Sequence, residues 1–295
     1  MTRKLTGCGT ALVTPFAKDG SVDEQALRAL VDWQIAEGIH FLVPCGSTGE
    51  AVTLTPAEHR RVVEITVDQA KGRVPVVAGA GSNDTAKAVA LSKEMKAAGA
   101  THLLHVSPMY NKPPQRGIIA HFETIANATD LPIIVYNVPG RTGSNIEAKT
   151  TLALARVTNI VAVKEASGNM AQILDILRDR PDHFSVLSGD DEMTLGILAA
   201  GGDGVISVVS NATPKKMARL CDVAARGDFA AARTLHFELL PWMRAAFIES
   251  NPMPAKAAMQ LLGKMDNRLR LPLVQLDEKL VDAVRKALQH AGALA

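Results

Sequence analysis

Lys164 follows Ile160-Val161-Ala162-Val163, a run without charge, and precedes Glu165-Ala166-Ser167-Gly168. An amine at the tip of an apolar strand is drawn toward a site that excludes water. Desolvation disfavours its charged form, so its pKa falls and a neutral nucleophile becomes available. The competing reading is a strand-end lysine that lays its stem on apolar surface and keeps its ammonium in water. Taken alone, the residue favours that second reading, so its surroundings must decide.

Other segments carry chemistry of their own. In Pro44-Cys45-Gly46-Ser47-Thr48-Gly49-Glu50 the glycines allow close backbone approach to a ligand. Ser47 and Thr48 add hydroxyls and free amides there. A tight turn with a capping hydroxyl explains the segment equally well. Cys45 reads as small buried filler. The chain has two tyrosines, Tyr110 in Ser107-Pro108-Met109-Tyr110-Asn111 and Tyr136 in Tyr136-Asn137-Val138-Pro139-Gly140-Arg141-Thr142. Tyrosine hydroxyls donate and accept, so a pair bridged by a Ser or Thr hydroxyl can relay protons. Arg141 suits bidentate recognition of a carboxylate, or is a solvated loop arginine. Ser188-Gly189-Asp190-Asp191-Glu192 suggests a metal site, but acids at the start of a helix are the plainer reading. A lysine, tyrosines, hydroxyls and an arginine converging without a cofactor motif fit imine chemistry. The amine attacks a ketone, the imine serves as electron sink, and the enamine attacks an aldehyde.

The elements must bring these residues together. Candidate strands are Thr10–Val13, Phe41–Val43, Val74–Ala78, His102–Val106, Pro132–Tyr136, Ile160–Lys164, Phe184–Leu187 and Gly204–Val208. Helical patterns alternate with them, at Asp23–Glu37, Pro56–Ala70, Thr85–Ala98, Arg116–Ala128 and Met170–Arg178. Asp23 or Ser21 can cap the first, and Thr55-Pro56-Ala57-Glu58 opens the second. Repeated strand–helix units with apolar strand cores predict a parallel sheet. Eight units closed on themselves form a (β/α)8 TIM barrel of about 250 residues. An open doubly wound sheet is the alternative, weakened by the lack of a Gly-x-Gly-x-x-Gly after the first strand. Gly79-Ala80-Gly81-Ser82-Asn83-Asp84 reads as a helix-entry turn. From Pro214 only helices are expected: Pro214–Arg226, Asp228–Ala246, Pro254–Leu262 and Asp277–His290. The predicted organisation is a barrel over 1–226 and a C-terminal helical extension over 227–295. In such barrels the site lies at the C-terminal ends of the strands, where every segment quoted above falls.

The bulk properties exclude other classes. The chain has 295 residues, 47% hydrophobic and 21% charged, with a formal net charge of +2. That balance implies no pull toward nucleic acid or an anionic membrane. Met1-Thr2-Arg3-Lys4-Leu5 lacks a leader's apolar segment, and no apolar run is long enough to span a bilayer. Three separated cysteines fit a reducing cytoplasm, and the eight histidines show no metal-binding spacing.

Together these residues resemble the dihydrodipicolinate synthase family, within the pyruvate-dependent N-acetylneuraminate lyase superfamily. The likeness covers Thr10–Pro15, Gly46–Glu50, Ser107–Pro113, Tyr136–Thr142, Val163–Gly168, Ser188–Asp191, Gly202–Asn211 and Asn251–Lys256. The resemblance implies condensation of pyruvate with L-aspartate semialdehyde in lysine and diaminopimelate synthesis. It implies that Lys164 forms a Schiff base with pyruvate and that Tyr136 shuttles protons. Ser47 and Tyr110 would complete a relay, with Tyr110 reaching into a neighbouring subunit. Ser47 and Thr48 would bind the pyruvate carboxylate, Arg141 the semialdehyde carboxylate, and Gly189 and the Ile206 carbonyl would line the pocket. It further implies a homotetramer of two tight dimers and no metal or organic cofactor.

The departures carry expectations too. Ser47 stands where the family often has Thr; the hydroxyl is kept, but its χ1 is less restricted. Members inhibited by lysine bind it through a His, a Glu and a Tyr, where this chain has Pro56, Lys87 and Met109. Lys87 would repel an incoming ammonium, so inhibition by lysine is expected to be weak or absent, although His59 and Asn83 match. Two alternatives remain. One is another pyruvate-dependent aldolase, acting on a sialic or deoxy sugar acid, which would not want Arg141. The other is a non-catalytic pyruvate sensor, which would not need Lys164.

Overall fold

The computed structural model describes residues 4–294. Residues 1–3, part of the segment read for a leader, and residue 295 lie outside the described residues. The eight strands are β1 (Gly7–Ala11), β2 (Phe41–Val43), β3 (Val77–Gly79), β4 (His102–Val106), β5 (Ile133–Asn137), β6 (Ile160–Glu165), β7 (Ser185–Ser188) and β8 (Gly204–Ser207). All pair in parallel, in the order β2-β1-β8-β7-β6-β5-β4-β3. The two ends of that order meet. Leu42 bridges Val76, the Leu42 amide donates to Pro75 O at 3.0 Å, and the Gly79 amide donates to Pro44 O at 3.0 Å. The sheet therefore closes into a barrel, and the open-sheet alternative falls.

The helices are α1 (Glu24–Ala36), α2 (Pro56–Ala70), α3 (Thr85–Ala97), α4 (Gln115–Asn127), α5 (Pro139–Thr142), α6 (Ala148–Leu154), α7 (Met170–Asp179), α8 (Thr194–Ala199), α9 (Pro214–Ala225), α10 (Phe229–Ala245), α11 (Met253–Leu261) and α12 (Glu278–His290). Local chemistry starts them as expected. Asp23, not Ser21, caps α1 by accepting from the Ala26 amide. Thr55 and Glu58 form a reciprocal capping box on α2.

Two strands start three residues from where they were expected. β1 begins three residues earlier, at Gly7 rather than Thr10. A Cβ on Gly204 would lie 2.0 Å from Gly7 O, so the glycines that weaken a strand signal are what lets β1 and β8 pair so closely. β3 starts at Val77 rather than Val74, with Val76 left as the closing bridge. The Pro139–Thr142 segment, which carries Arg141, forms the single helical turn α5, with Gly143 in the left-handed region behind it.

Inside the barrel Phe41, Val43, Val77, Leu104, Ile134, Leu187 and Ile206 pack together. Outside it, one apolar core runs from Cys8, Leu12 and Leu42 through Met217 and Leu220 of α9 to Trp242 of α10 and Leu288 of α12. Trp242 is fully buried and donates its ring N–H to Val209 O at 3.1 Å. The C-terminal helices are thereby seated against the end of β8, on the face where the strands point.

Candidate active site

β5 and β6 place the two central side chains. Tyr136 and Lys164 are Cα partners in the parallel pairing, so both project into the barrel mouth at one level. Lys164 Nζ lies 4.2 Å from the centre of the Tyr136 ring. Lys164 is 6% exposed. Burial lowers its pKa to about 8; the Asp191 carboxylate opposes that shift and the Arg141 guanidinium adds to it. Burial likewise pushes Tyr136 up to about 12, which keeps its hydroxyl protonated at neutral pH. The lysine does not snorkel into solvent.

The residue at the end of β7 makes room for this lysine. A Cβ on Gly189 would meet Lys164 Cε at 3.0 Å and Ala166 Cβ at 2.9 Å. The neighbouring acids behave differently from expectation. Neither Asp190 nor Asp191 caps α8, whose N-cap is Met193 without a side-chain bond. Asp191 turns inward, is 2% exposed, and accepts from the amides of Val208 (2.9 Å) and Val209 (3.3 Å). It caps the short turn after β8, the strand adjacent to β7, instead of the helix that follows it. Burial raises its pKa to about 6. Among the described residues no group of three His, Cys, Asp or Glu is arranged to hold a metal ion.

The loop after β2 faces this pair. The Gly49 amide donates to Gly46 O at 3.0 Å and the Glu50 amide to Ser47 O at 3.1 Å. Among the described residues the Ser47 and Thr48 amides have no acceptor, and consecutive free amides form an anion-binding concavity. Ser47 is exposed to the cavity. Thr48 is buried, and its Oγ1 accepts from Asn251 Nδ2 at 2.8 Å. Cys45 is buried with its thiol pKa raised by desolvation, as befits filler.

Arg141 projects from α5 to the mouth, where its guanidinium donates to Asn251 O at 3.4 Å. Tyr136, Lys164, Ser47, Thr48, Arg141 and Gly189 all line one cavity of about 410 Å³. Tyr110, expected to serve a neighbouring subunit, and Ile206 do not. Tyr110 is 88% exposed beside the mouth, at φ 73°, a conformation strained for a bulky residue. Ile206 lies one layer lower in the barrel core; Val208, two residues on, lines the cavity instead.

Several contributors were not read from the sequence. Phe247, Asn251 and Leu273 reach the cavity from the C-terminal segment. On the outer side of β5 and β6, Glu165 is fully buried and accepts from Asn137 Nδ2 at 3.2 Å, Gln172 Nε2 at 3.3 Å and the Ser167 amide at 2.7 Å. This network ties together the strand ends that carry Tyr136 and Lys164. The only signal for it was polar residues directly following apolar strands.

Comparison with known proteins is consistent across the whole chain. The model of the dihydrodipicolinate synthetase family matches residues 4–291. A 4-hydroxy-tetrahydrodipicolinate synthase of Koribacter versatilis is 52% identical over 292 residues, covering 99% of this chain and 97% of its own. A dihydrodipicolinate synthase of Acinetobacter baumannii, solved in complex with pyruvate, superposes with a TM-score of 0.97 at 40% identity, covering 99% of this chain and 100% of its own. A monomeric dihydrodipicolinate synthase variant superposes with a TM-score of 0.97 at 42% identity, covering 98% of each chain.

Proposed function

The chain belongs to the dihydrodipicolinate synthetase family, and from that premise we propose that Lys164 is the amine that carries its reaction. The reaction is that of 4-hydroxy-tetrahydrodipicolinate synthase, the condensation of pyruvate with L-aspartate semialdehyde in lysine and diaminopimelate synthesis. The observation that carries the assignment is a buried amine with a depressed pKa, stacked 4.2 Å from a tyrosine ring at the floor of the cavity.

Neutral Lys164 attacks the ketone carbon of pyruvate, and loss of water gives the imine. The free amides of Ser47 and Thr48 receive the pyruvate carboxylate. Tyr136 donates a proton to the departing hydroxyl and helps move the methyl proton, which yields the enamine. The enamine carbon attacks the aldehyde of the second substrate, whose carboxylate pairs with Arg141. The amino group of that substrate then displaces Lys164 from the imine carbon, closing the ring and freeing the enzyme.

Tyr110 is assigned to the proton relay of a neighbouring subunit, with Ser47 as the link. Its exposure beside the mouth, on a strained backbone, supports that role. Val52 and Leu271 on the same rim are 92% and 79% exposed, and apolar groups so placed favour burial against a second copy. The proposed assembly is a homotetramer of such dimers. A cytoplasmic location is proposed from the likeness to a synthase of amino-acid biosynthesis.

Sodium borohydride with pyruvate tests the mechanism. The expected result is a reduced adduct on Lys164; an unmodified Lys164, or an adduct elsewhere, overturns it. Steady-state rates with aspartate semialdehyde and with sialic acid test the substrate, and preference for sialic acid would reverse the assignment of Arg141.

A further inference from the structure

Glu50 and Lys256 form an ion pair that solvent does not reach. Lys256 Nζ lies 2.5 Å from Glu50 Oε1, and both side chains are 0% exposed. Such a pair is weak evidence for stability, because desolvation of two charges offsets much of their attraction. Its location is more informative. Glu50 ends the loop that presents the free amides, and its own amide donates to Ser47 O. It sits at φ 53°, in the left-handed region, which a glutamate keeps only when its surroundings hold it there.

What holds it comes from the C-terminal segment. Lys256, on α11, also donates to Arg268 O at 2.7 Å and lies 4.1 Å from the Phe16 ring centre. Glu50 Oε2 accepts from the Arg270 amide at 3.0 Å. The Arg270 guanidinium in turn pairs with Glu58 and donates to Thr53 O at 2.9 Å. A second tie is the Asn251–Thr48 hydrogen bond described above. The barrel supplies a third, from Thr14 Oγ1 to Gly49 O at 2.7 Å.

We infer that Glu50 and Lys256 are positioning residues whose ion pair fixes the Ser47 and Thr48 amides to receive the pyruvate carboxylate. The C-terminal helices are thereby coupled to binding of the first substrate. The inference rests on the reading of those amides as the carboxylate site. Neither residue lies among the reacting atoms, so the effect falls on pyruvate binding more than on turnover.

The test compares the wild-type enzyme with Glu50→Gln, Lys256→Met and the double variant. The readouts are the pyruvate concentration for half-maximal borohydride trapping on Lys164, the pyruvate KM and kcat. Each single variant is expected to raise half-trapping and KM by about tenfold or more, with a much smaller change in kcat. The double variant leaves no unpaired buried charge and is the one best able to fold. It too should need more pyruvate, because only the Asn251–Thr48 and Thr14–Gly49 hydrogen bonds then hold the loop. A double variant trapped at the wild-type concentration overturns the inference, whatever its Tm, as do folded single variants with unchanged half-trapping. Absence of trapping in the wild-type enzyme would overturn the underlying reading of Lys164 itself, and this inference with it.

Discussion

Tyr136 and Lys164 are register partners on adjacent parallel strands, and the lysine nitrogen lies 4.2 Å from the tyrosine ring centre. The register does two things at once. It brings both side chains to the same height above the barrel core, and it stacks the ring against an amine that has lost most of its water. A π-face can stabilise the cationic form of such an amine, while burial disfavours it. Burial dominates, which leaves the amine near the pKa a nucleophile needs.

Removing either partner separates their roles. Lys164→Ala should lower turnover on the order of a thousandfold or more, since no other group supplies the imine nitrogen. Tyr136→Phe keeps the ring and loses the hydroxyl, and should cost about a hundredfold. Circular dichroism should show both variants folded. Near-normal turnover in Lys164→Ala would count against the imine.

The pH profile should report Lys164. In the proposed mechanism the attacking form is the neutral amine, so kcat/KM for pyruvate should rise with pH and level off above an apparent pKa of about 8. The Asp191 carboxylate favours the charged amine and so holds that value up. Asp191→Asn keeps an oxygen for the Val208 and Val209 amides and removes the charge. Its acidic limb should therefore move to lower pH; a move to higher pH would contradict the assigned electrostatics.

Gly189→Ala tests steric placement of the lysine. The added methyl would press on Lys164 Cε at 3.0 Å and on Ala166, itself part of the short segment after β6. The lysine must swing away from its place beside Tyr136. We expect kcat/KM to fall about tenfold or more with the fold retained, read by steady-state kinetics. An unchanged rate would show that the amine tolerates displacement.

Free lysine should inhibit weakly or not at all. Lys87 is an exposed cation near the start of α3. His59 is spent on Gly79 O at 2.8 Å, and Asn83 on Met109 O at 3.2 Å. A lysine titration of the initial rate checks this, and strong inhibition at micromolar lysine would refute it.

The local chemistry of the chain already determined a good deal. Apolar runs alternating with amphipathic helices implied the barrel, because parallel strands need helical crossovers. The same pattern put Lys164 and Tyr136 at strand ends, and the turn chemistry of Gly46–Glu50 marked a loop open to a ligand or a capped tight turn. Periodicity is a property of neighbours in sequence, so it could not reveal partners chosen by closure of the barrel. Asp191 looked like a cap for its own helix; the fold turned it toward the amides of Val208 and Val209. Glu50 looked like the end of a turn, and only the docking of α11 gave it Lys256. Lys164 was ambiguous between solvent and site until closure of the barrel buried it at the cavity. That burial, a tertiary effect, is what lowers the pKa of the amine proposed to react.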